Sequence, residues 1–232
     1  MKAIALIVFM LTTGLQATNS DWKKDRVVSG FTGLSVTGGI DVYLSQGSSE
    51  KLTFDVKGFD EDQVVSRVKN GVLELYIDRK GMSWNFGKNN YVKAYLTFKQ
   101  LQNLQAGGGS DIFGQGMLTF DDLNLQAGGG SDIQLTLKAD KLNVSASGGA
   151  DATIEGSART LNADGSGGSD LNARKLSVQV CNASSSGGSD VYVNASQELT
   201  MKASGGSDIY YYGSAKVLAS SKSGGSDIKR RD

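Results

Sequence analysis

Apolar and polar residues alternate along most of this chain, and the alternation is interrupted at regular intervals by pairs of glycines. In the stretch 142–154, apolar side chains occupy every second position on either side of Gly148-Gly149. Such alternation is typical of β-strands, whose side chains point in turn to opposite faces. The glycine pair predicts a sharp bend between two strands, because glycine reaches positive φ without a steric penalty.

The glycine pairs belong to a motif, Gly-Gly-Ser-Asp, that occurs seven times; in the third copy alanine replaces serine. The motif recurs at intervals of 18 to 21 residues, and the copies end at Asp111, Asp132, Asp151, Asp170, Asp190, Asp208 and Asp227. A period near 19 residues, with no helical spacing of apolar residues, predicts one coil of β-strands per repeat. The fold class is therefore all-β, a parallel β-helix, which such connections wind right-handed in most cases. A left-handed hexapeptide helix is the competitor, but the chain shows no six-residue sub-period.

Aligning the copies predicts which side chains face the core. One inward row precedes the bend: Leu123, Leu142, Leu161, Cys181, Leu199 and Leu218. A second inward row follows it: Ile112, Ile133, Ala152, Leu171, Val191, Ile209 and Ile228. The motif serines should also point inward at a tight corner, where Ala150 indicates a demand for small side chains. The aspartates should point outward.

The first hundred residues are less regular. Residues 1–17 are typical of a cleaved secretory signal peptide, with a basic start, a short apolar stretch and a small residue at Ala17. Residues 18–100 predict an irregular β region, in which Asn70-Gly71 marks a hairpin that would cap the stack. Residues 101–232 are predicted to form the regular coils, and residues 26–232 are predicted to form one continuous domain. The apolar stretch is too short for a transmembrane anchor, and we expect none in the mature chain.

Composition excludes several kinds of chemistry. The chain contains no histidine, which rules out Ser-His-Asp and Cys-His catalysis and histidine-based metal sites. The formal net charge is zero, so no nucleic-acid partner is expected. The single cysteine, Cys181, lies in an inward row, which favours a structural role over a reactive thiol.

The row of aspartates is the most unusual feature. Adjacent coils stack about 4.8 Å apart, and two carboxylates at that distance repel by about 0.9 kcal/mol even in water. We predict that each aspartate accepts hydrogen bonds from backbone N–H groups of its own or the adjacent corner, without a metal. The alternative is a bound cation such as calcium, held by Asp132, Asp151, Asp170 and Asp190. No other cofactor is expected.

Two further outward rows could bind a ligand or stabilise the sheet. Tyr192, Tyr210 and Tyr212 lie near Asp190 and Asp208, and aromatic faces beside carboxylates suit sugar recognition. Tyrosine is also a good strand residue, so a structural role stays open. The other row is Asn103, Asn124, Asn143, Asn162 and Asn182, which we interpret as a side-chain amide ladder that stabilises stacked strands.

The chain resembles a bacterial family, "putative auto-transporter adhesin, head GIN domain", over roughly residues 26–232. The resemblance rests on residues 31–36, 39–44 and 70–75 and on the Gly-Gly-Ser-Asp coils. Where the family's name suggests Gly-Ile-Asn, this chain has Gly39-Ile40-Asp41. The resemblance implies a right-handed β-helix exported by bacteria, with a role in adhesion and no catalytic residue.

These observations favour an exported, non-enzymatic, adhesin-like binding or structural module located in the periplasm, on the outer surface or outside the cell. Its expected partners are a surface polysaccharide or another cell-surface component, and self-association is left open. The alternative is a polysaccharide-active enzyme, a glycoside hydrolase or lyase, on the same scaffold. Catalysis of that kind needs two carboxyl groups in unlike environments, whereas a row of equivalent aspartates is the opposite arrangement.

Overall fold

The computed structural model describes residues 21–79 and 89–232. These residues form one sixteen-stranded β-sheet, and no helix occurs within those ranges. The strands in chain order are β1 Trp22–Arg26, β2 Gly33–Thr37, β3 Asp41–Gln46, β4 Lys51–Lys57, β5 Val64–Lys69, β6 Val72–Ile77, β7 Tyr91–Phe98, β8 Asn103–Gly107, β9 Asp111–Gly128, β10 Asp132–Ser147, β11 Asp151–Ser166, β12 Asp170–Gly187, β13 Asp190–Gly205, β14 Asp208–Tyr212, β15 Lys216–Gly224 and β16 Asp227–Arg230.

The C-terminal half is a parallel solenoid in which each repeat lies directly on the previous one. Strands β9 to β13 pair in parallel with their neighbours, so that Asp132 lies opposite Asp151 and Leu142 opposite Leu161. Most register irregularities lie shortly after the motif, for example between residues 134 and 136 of β10 and between residues 153 and 156 of β11. This part of the coil absorbs the variation in repeat length. The predicted all-β parallel solenoid is confirmed.

Each coil turns sharply at the motif glycines. Gly148 and Gly149 have φ of 64° and 76°, the left-handed region that other residues rarely adopt. A second turn is visible in the burial pattern, where two consecutive exposed residues, Asp140 and Lys141, interrupt the alternation of β10. The side chains on either side of each turn therefore face a common core.

The motif serines point inward, as predicted, but they do more than save space. Ser169 is fully buried, and its Oγ accepts the Ser166 N–H at 3.2 Å and donates to the Ala146 carbonyl at 2.8 Å. In four other corners the serine Oγ likewise accepts the backbone N–H three residues before it; these serines are Ser131, Ser189, Ser207 and Ser226. The hydroxyl thus closes the corner and satisfies backbone groups that would otherwise be buried without a partner.

The inward rows are confirmed with one exception. The row after the bend, from Ile112 to Ile209, is fully buried, and Ile228 in the last coil is partly buried. Leu218 was predicted to face the core, and that prediction is wrong: its side chain is 52% exposed. A register shift in β15 places Val217 opposite Leu199 and displaces Leu218 from the row.

Residues before the regular coils extend the stack on two sides. Strand β3 pairs in parallel with β9, and β7 with β3, before antiparallel β4 and β1 follow. On the other side β8, β2 and β6 are parallel and β5 closes the predicted hairpin, whose Asn70 and Gly71 both have positive φ. The predicted signal peptide, residues 1–17, lies outside the described residues.

The other end of the stack carries polar residues at core-facing positions. In the register of β15, Ser220 lies opposite buried Met201 and Lys222 opposite buried Ala203. A charged side chain at an inward position discourages the addition of a further strand. Lys222 and Lys229 also pair with Asp227, at 3.3 and 2.7 Å.

Candidate functional site

The aspartate row is one column of the parallel register. Asp132, Asp151, Asp170, Asp190, Asp208 and Asp227 lie opposite one another on successive strands. The column continues beyond the seven motif copies, because Asp41 of β3 lies opposite Asp111 and Lys93 of β7 lies opposite Asp41. All eight carboxylates are at least partly exposed on the outer face of the coil. Lysines therefore stand at both ends of this acidic row.

The aspartates are not equivalent, contrary to prediction. Asp111, Asp151 and Asp208 each accept the backbone N–H of the next aspartate in the row, at 3.0, 3.3 and 2.9 Å. A backbone hydrogen bond from Asp151 also reaches Asp132 and opposes the rise of its pKa. In the described ranges no such bond reaches Asp170 or Asp190, so the prediction that each aspartate accepts one is wrong for these two. There the N–H of the following aspartate donates to a serine carbonyl instead, as in Asp190 N–H to Ser169 O at 3.1 Å.

Repulsion between neighbouring carboxylates contributes to raised pKa values in the row. Burial and then the charges of neighbouring aspartates raise the pKa of Asp132 and of Asp170. Burial and the charge of Asp111 raise the pKa of Asp41 despite the opposing charge of Lys93. At the far end, hydrogen bonds from Lys229 and Lys222 lower the pKa of Asp227. The middle of the row therefore holds negative charge that nothing in the described chain neutralises.

Replacing Asp170 with asparagine should raise the melting temperature at neutral pH or leave it unchanged. Folding raises the pKa of Asp170, so the folded state binds the proton more tightly than the unfolded state. Above that raised pKa the ionised carboxylate therefore lowers the stability of the wild-type protein. The variant's advantage should shrink as pH falls through the raised pKa towards the ordinary value of 3.8, where wild-type Asp170 is protonated. Thermal melts at neutral pH and near pH 3.8 measure the difference; a variant less stable at neutral pH would contradict it.

A matched pair of alanine variants separates the two kinds of aspartate. Asp151→Ala leaves the Asp170 N–H without its acceptor and should cost about 1 kcal/mol, whereas Asp170→Ala removes no such acceptor. The same melts, repeated in calcium and in chelator, test the cation alternative. No three acidic or cysteine side chains of the described ranges come together to hold a metal ion. A rise of several degrees with calcium, lost in Asp170→Asn, would nevertheless establish a metal site.

Two of the predicted ligand-binding tyrosines form a compact aromatic surface. Tyr192 and Tyr210 lie opposite each other on β13 and β14, with ring centroids 4.9 Å apart and planes at 17°. The Tyr210 hydroxyl donates to Asp208 Oδ2 at 2.9 Å, and Asp190 lies opposite Asp208. Tyr212 lies further along β14, opposite Asn194 and outside the stack. The structure thus brings four of the five predicted residues together.

The acidic surroundings keep these hydroxyls protonated. The hydrogen bond to Asp208, followed by burial, raises the pKa of Tyr210. Burial and then the charge of Asp190 raise the pKa of Tyr192. Arg231 lies over the Tyr210 ring at 5.0 Å from its centroid. The pair offers apolar ring surface and hydroxyl groups beside carboxylate acceptors.

A second aromatic stack was not found from the sequence. Tyr43 of β3 stacks on Tyr95 of β7 at 5.1 Å and on Phe113 of β9 at 5.6 Å. Each ring lies two residues after Asp41, Lys93 or Asp111, as Tyr192 and Tyr210 lie two residues after their aspartates. Only the alternation around Gly39-Ile40-Asp41, aligned with the later motif copies, could have indicated this position.

The predicted asparagine ladder is present. Each of Asn124, Asn143, Asn162 and Asn182 donates its side-chain N–H to the Oδ1 of the asparagine before it in the row, at 2.6 to 3.1 Å. The ladder lines a shallow groove of about 510 Å³ that also includes Gln126 and Asp164. These four hydrogen bonds between side-chain amides stabilise the stacked strands and explain the row, which agrees with the prediction.

The remaining polar features have structural explanations. Cys181 is fully buried, and burial raises the pKa of its thiol to about 12, so it is unreactive at neutral pH. A groove of about 600 Å³ contains Asp140 and Arg159, which form a two-bond ion pair at 2.6 and 2.8 Å. Neither this groove nor the asparagine groove is lined by the aspartate row.

Several solved structures share this fold. A "putative adhesin" from Bacteroides fragilis is 26% identical, with a TM-score of 0.84 over 92% of this chain and 98% of that one. A "putative adhesin" from Parabacteroides merdae is 19% identical, with a TM-score of 0.70 over 91% and 96%. A "putative lipid binding protein" from Parabacteroides distasonis is 16% identical, with a TM-score of 0.69 over 91% and 97%. The last two show the shared fold alone.

No curated protein matches this chain significantly. The described segments contain no helix of the length and hydrophobicity that crossing a membrane requires. The family model described as "putative auto-transporter adhesin, head GIN domain" matches residues 30–215, which include strands β2 to β14, the aspartate row as far as Asp208 and both aromatic stacks. With this match and the agreement in fold, the chain belongs to the family described as "putative auto-transporter adhesin, head GIN domain".

Proposed function

We propose that this protein is an exported, non-enzymatic binding module that recognises a surface polysaccharide through Tyr192 and Tyr210 and the adjacent Asp190 and Asp208. The stacked pair of tyrosines carries the proposal. Sugar rings pack their C–H faces on aromatic side chains, while carboxylates accept hydrogen bonds from sugar hydroxyls. Tyr212, on the same strand, extends the surface along the coil.

Membership in an adhesin family supports export and a binding role over catalysis. The absence of histidine from the sequence removes the commonest general base. The surface is a row of side chains on the outer face of a sheet, so a polymer could lie along it without entering a pocket. The polysaccharide ligand, the exported location and the non-enzymatic role are all parts of this proposal.

Binding of the purified protein to an array of bacterial and plant polysaccharides tests it. The variant Tyr192→Thr/Tyr210→Thr should lose binding by about tenfold or more, because it removes both rings. Threonine suits the position, since Thr153 occupies it two coils earlier. Tyr76→Thr, on β6 outside this surface, is the matched control and should bind as wild type.

Two outcomes would overturn the proposal. One is wild-type protein that binds no polysaccharide, and the other is a double variant that binds as well as wild type. Incubating the bound polysaccharides with the protein and measuring new reducing ends or unsaturated sugars tests the enzyme alternative. Cleavage that requires an aspartate of the row would replace the binding module with a polysaccharide-active enzyme.

A further inference from the structure

The two aromatic stacks occupy a single column of the parallel register. We call this the outer column; each member lies opposite the next on the adjacent strand. Its members in order are Tyr95, Tyr43, Phe113, Gln134, Thr153, Asn172, Tyr192 and Tyr210. With coils about 4.8 Å apart, seven steps give a length of about 34 Å. One straight surface therefore has aromatic rings at both ends.

The middle of the outer column is polar and suited to hydrogen bonding. Gln134, Thr153 and Asn172 separate the two stacks, and each can both donate and accept. At the N-terminal end the Tyr95 side chain is 41% exposed, and Lys23 Nζ lies 5.8 Å from the centre of its ring. One extended chain molecule lying along the column could contact aromatic rings at one end, amide and hydroxyl groups in the middle, and aromatic rings again at the other end.

The charge beside the outer column restricts what that molecule can be. The aspartate row runs parallel to it, two residues earlier on every strand from β9 to β14. From Asp111 to Asp208, none of these carboxylates forms an ion pair with a lysine or arginine of the described chain. A ligand with carboxylate or sulfate groups would be repelled along the middle of the column, between the lysines at its two ends, whereas hydroxyl or amino groups would find acceptors there.

We propose that the outer column binds one extended polysaccharide chain without acidic sugars, held at one end by Tyr43, Tyr95 and Phe113 and at the other by Tyr192 and Tyr210. This inference rests on the proposed function and adds a second aromatic subsite, the path of the polysaccharide along the column and the charge of the sugars it can contain. Two subsites on one rigid strand stack strengthen each other, because a chain bound at one end is held at high local concentration for the other. Long chains should therefore bind far more tightly than disaccharides.

The test compares chain length and charge in wild-type protein and in Tyr43→Thr/Tyr95→Thr. The probes are β-glucan, α-mannan, an N-acetylglucosamine polymer, its deacetylated form and polygalacturonate, each as disaccharide and as long chain. For a probe that binds, the long chain should bind at least about tenfold more tightly than the disaccharide, and the variant should lose that gain. Polygalacturonate should not bind.

Control variants keep the outcomes distinct. Tyr76→Thr should not change binding, and Tyr95→Thr alone replaces the double variant if the latter does not melt cooperatively. No binding by wild type to any probe would overturn the proposed function as well. Binding that depends on Tyr192 but not on Tyr43 or Tyr95, or equal affinity for short and long chains, would overturn the second subsite alone. Preferred binding of polygalacturonate would overturn the charge class.

Discussion

Replacing Gly156 with alanine is expected to lower the free energy of unfolding by about 3 kcal/mol or more. Gly156 has φ of +113°, outside the range that an L-residue adopts without strain. A methyl group there would also overlap the backbone of the coil beneath it, meeting the carbonyl group of Leu137. Neither the strand pairing nor the core can move away without breaking the register of β10 and β11.

Gly149→Ala is the matched control for this substitution. Gly149 also has positive φ, +76°, but no atom lies within 4 Å of the position its Cβ would occupy. Only the backbone penalty applies, so the expected loss is about 1 kcal/mol. Urea unfolding of both variants measures the two costs. Equal losses would mean that the contact with Leu137 does not determine the role of Gly156.

Replacing Ser169 with leucine should destabilise the protein to a similar extent, by about 3 kcal/mol. The serine side chain is fully buried in the corner, so the larger leucine must displace packed neighbours. The substitution also removes the acceptor of the Ser166 N–H and the donor to the Ala146 carbonyl. Overpacking and the loss of buried hydrogen bonds act in the same direction.

Ser169→Ala separates these two contributions. Alanine fits the corner, since Ala150 occupies the equivalent position and is fully buried. It cannot replace the hydroxyl bonds, so a loss of about 1 kcal/mol is expected. Chemical unfolding of the two variants gives the measurement. If leucine were tolerated as well as alanine, the assigned inward direction of the motif serines would be wrong in solution.

The regular coils could be predicted because their determinants are local. Alternation assigns the inward rows, and the positive φ of Gly148 and of its counterpart in every other copy explains why the first position of the motif requires glycine. The prediction failed at Leu218, where the stack ends. No further strand of the described chain packs on β15, so nothing there rewards burial of that side chain, and a register shift is tolerated.

The candidate site was predicted only in part. Tyr192 and Tyr210 are one repeat apart, and the repeat itself places them side by side. Tyr43 and Tyr95 are not one repeat apart: β4, β5 and β6 separate them in the chain, and β7 returns to pair with β3. Such a long-range pairing leaves no periodic signal, so the second aromatic stack could not be read from spacing.

By itself, then, the sequence determined the coil, the direction of its side chains and the aspartate and asparagine rows, because a short period forces each of these onto one register. The tertiary structure alone decided which strands continue those rows beyond the repeats and how each carboxylate is satisfied. Asp111, Asp151 and Asp208 accept a backbone N–H while Asp170 and Asp190 do not, although the motif is the same. Since the motif repeats, the geometry between neighbouring coils decides whether the next N–H reaches a carboxylate, as Asp227 N–H does, or donates to a serine carbonyl alone, as Asp190 N–H does.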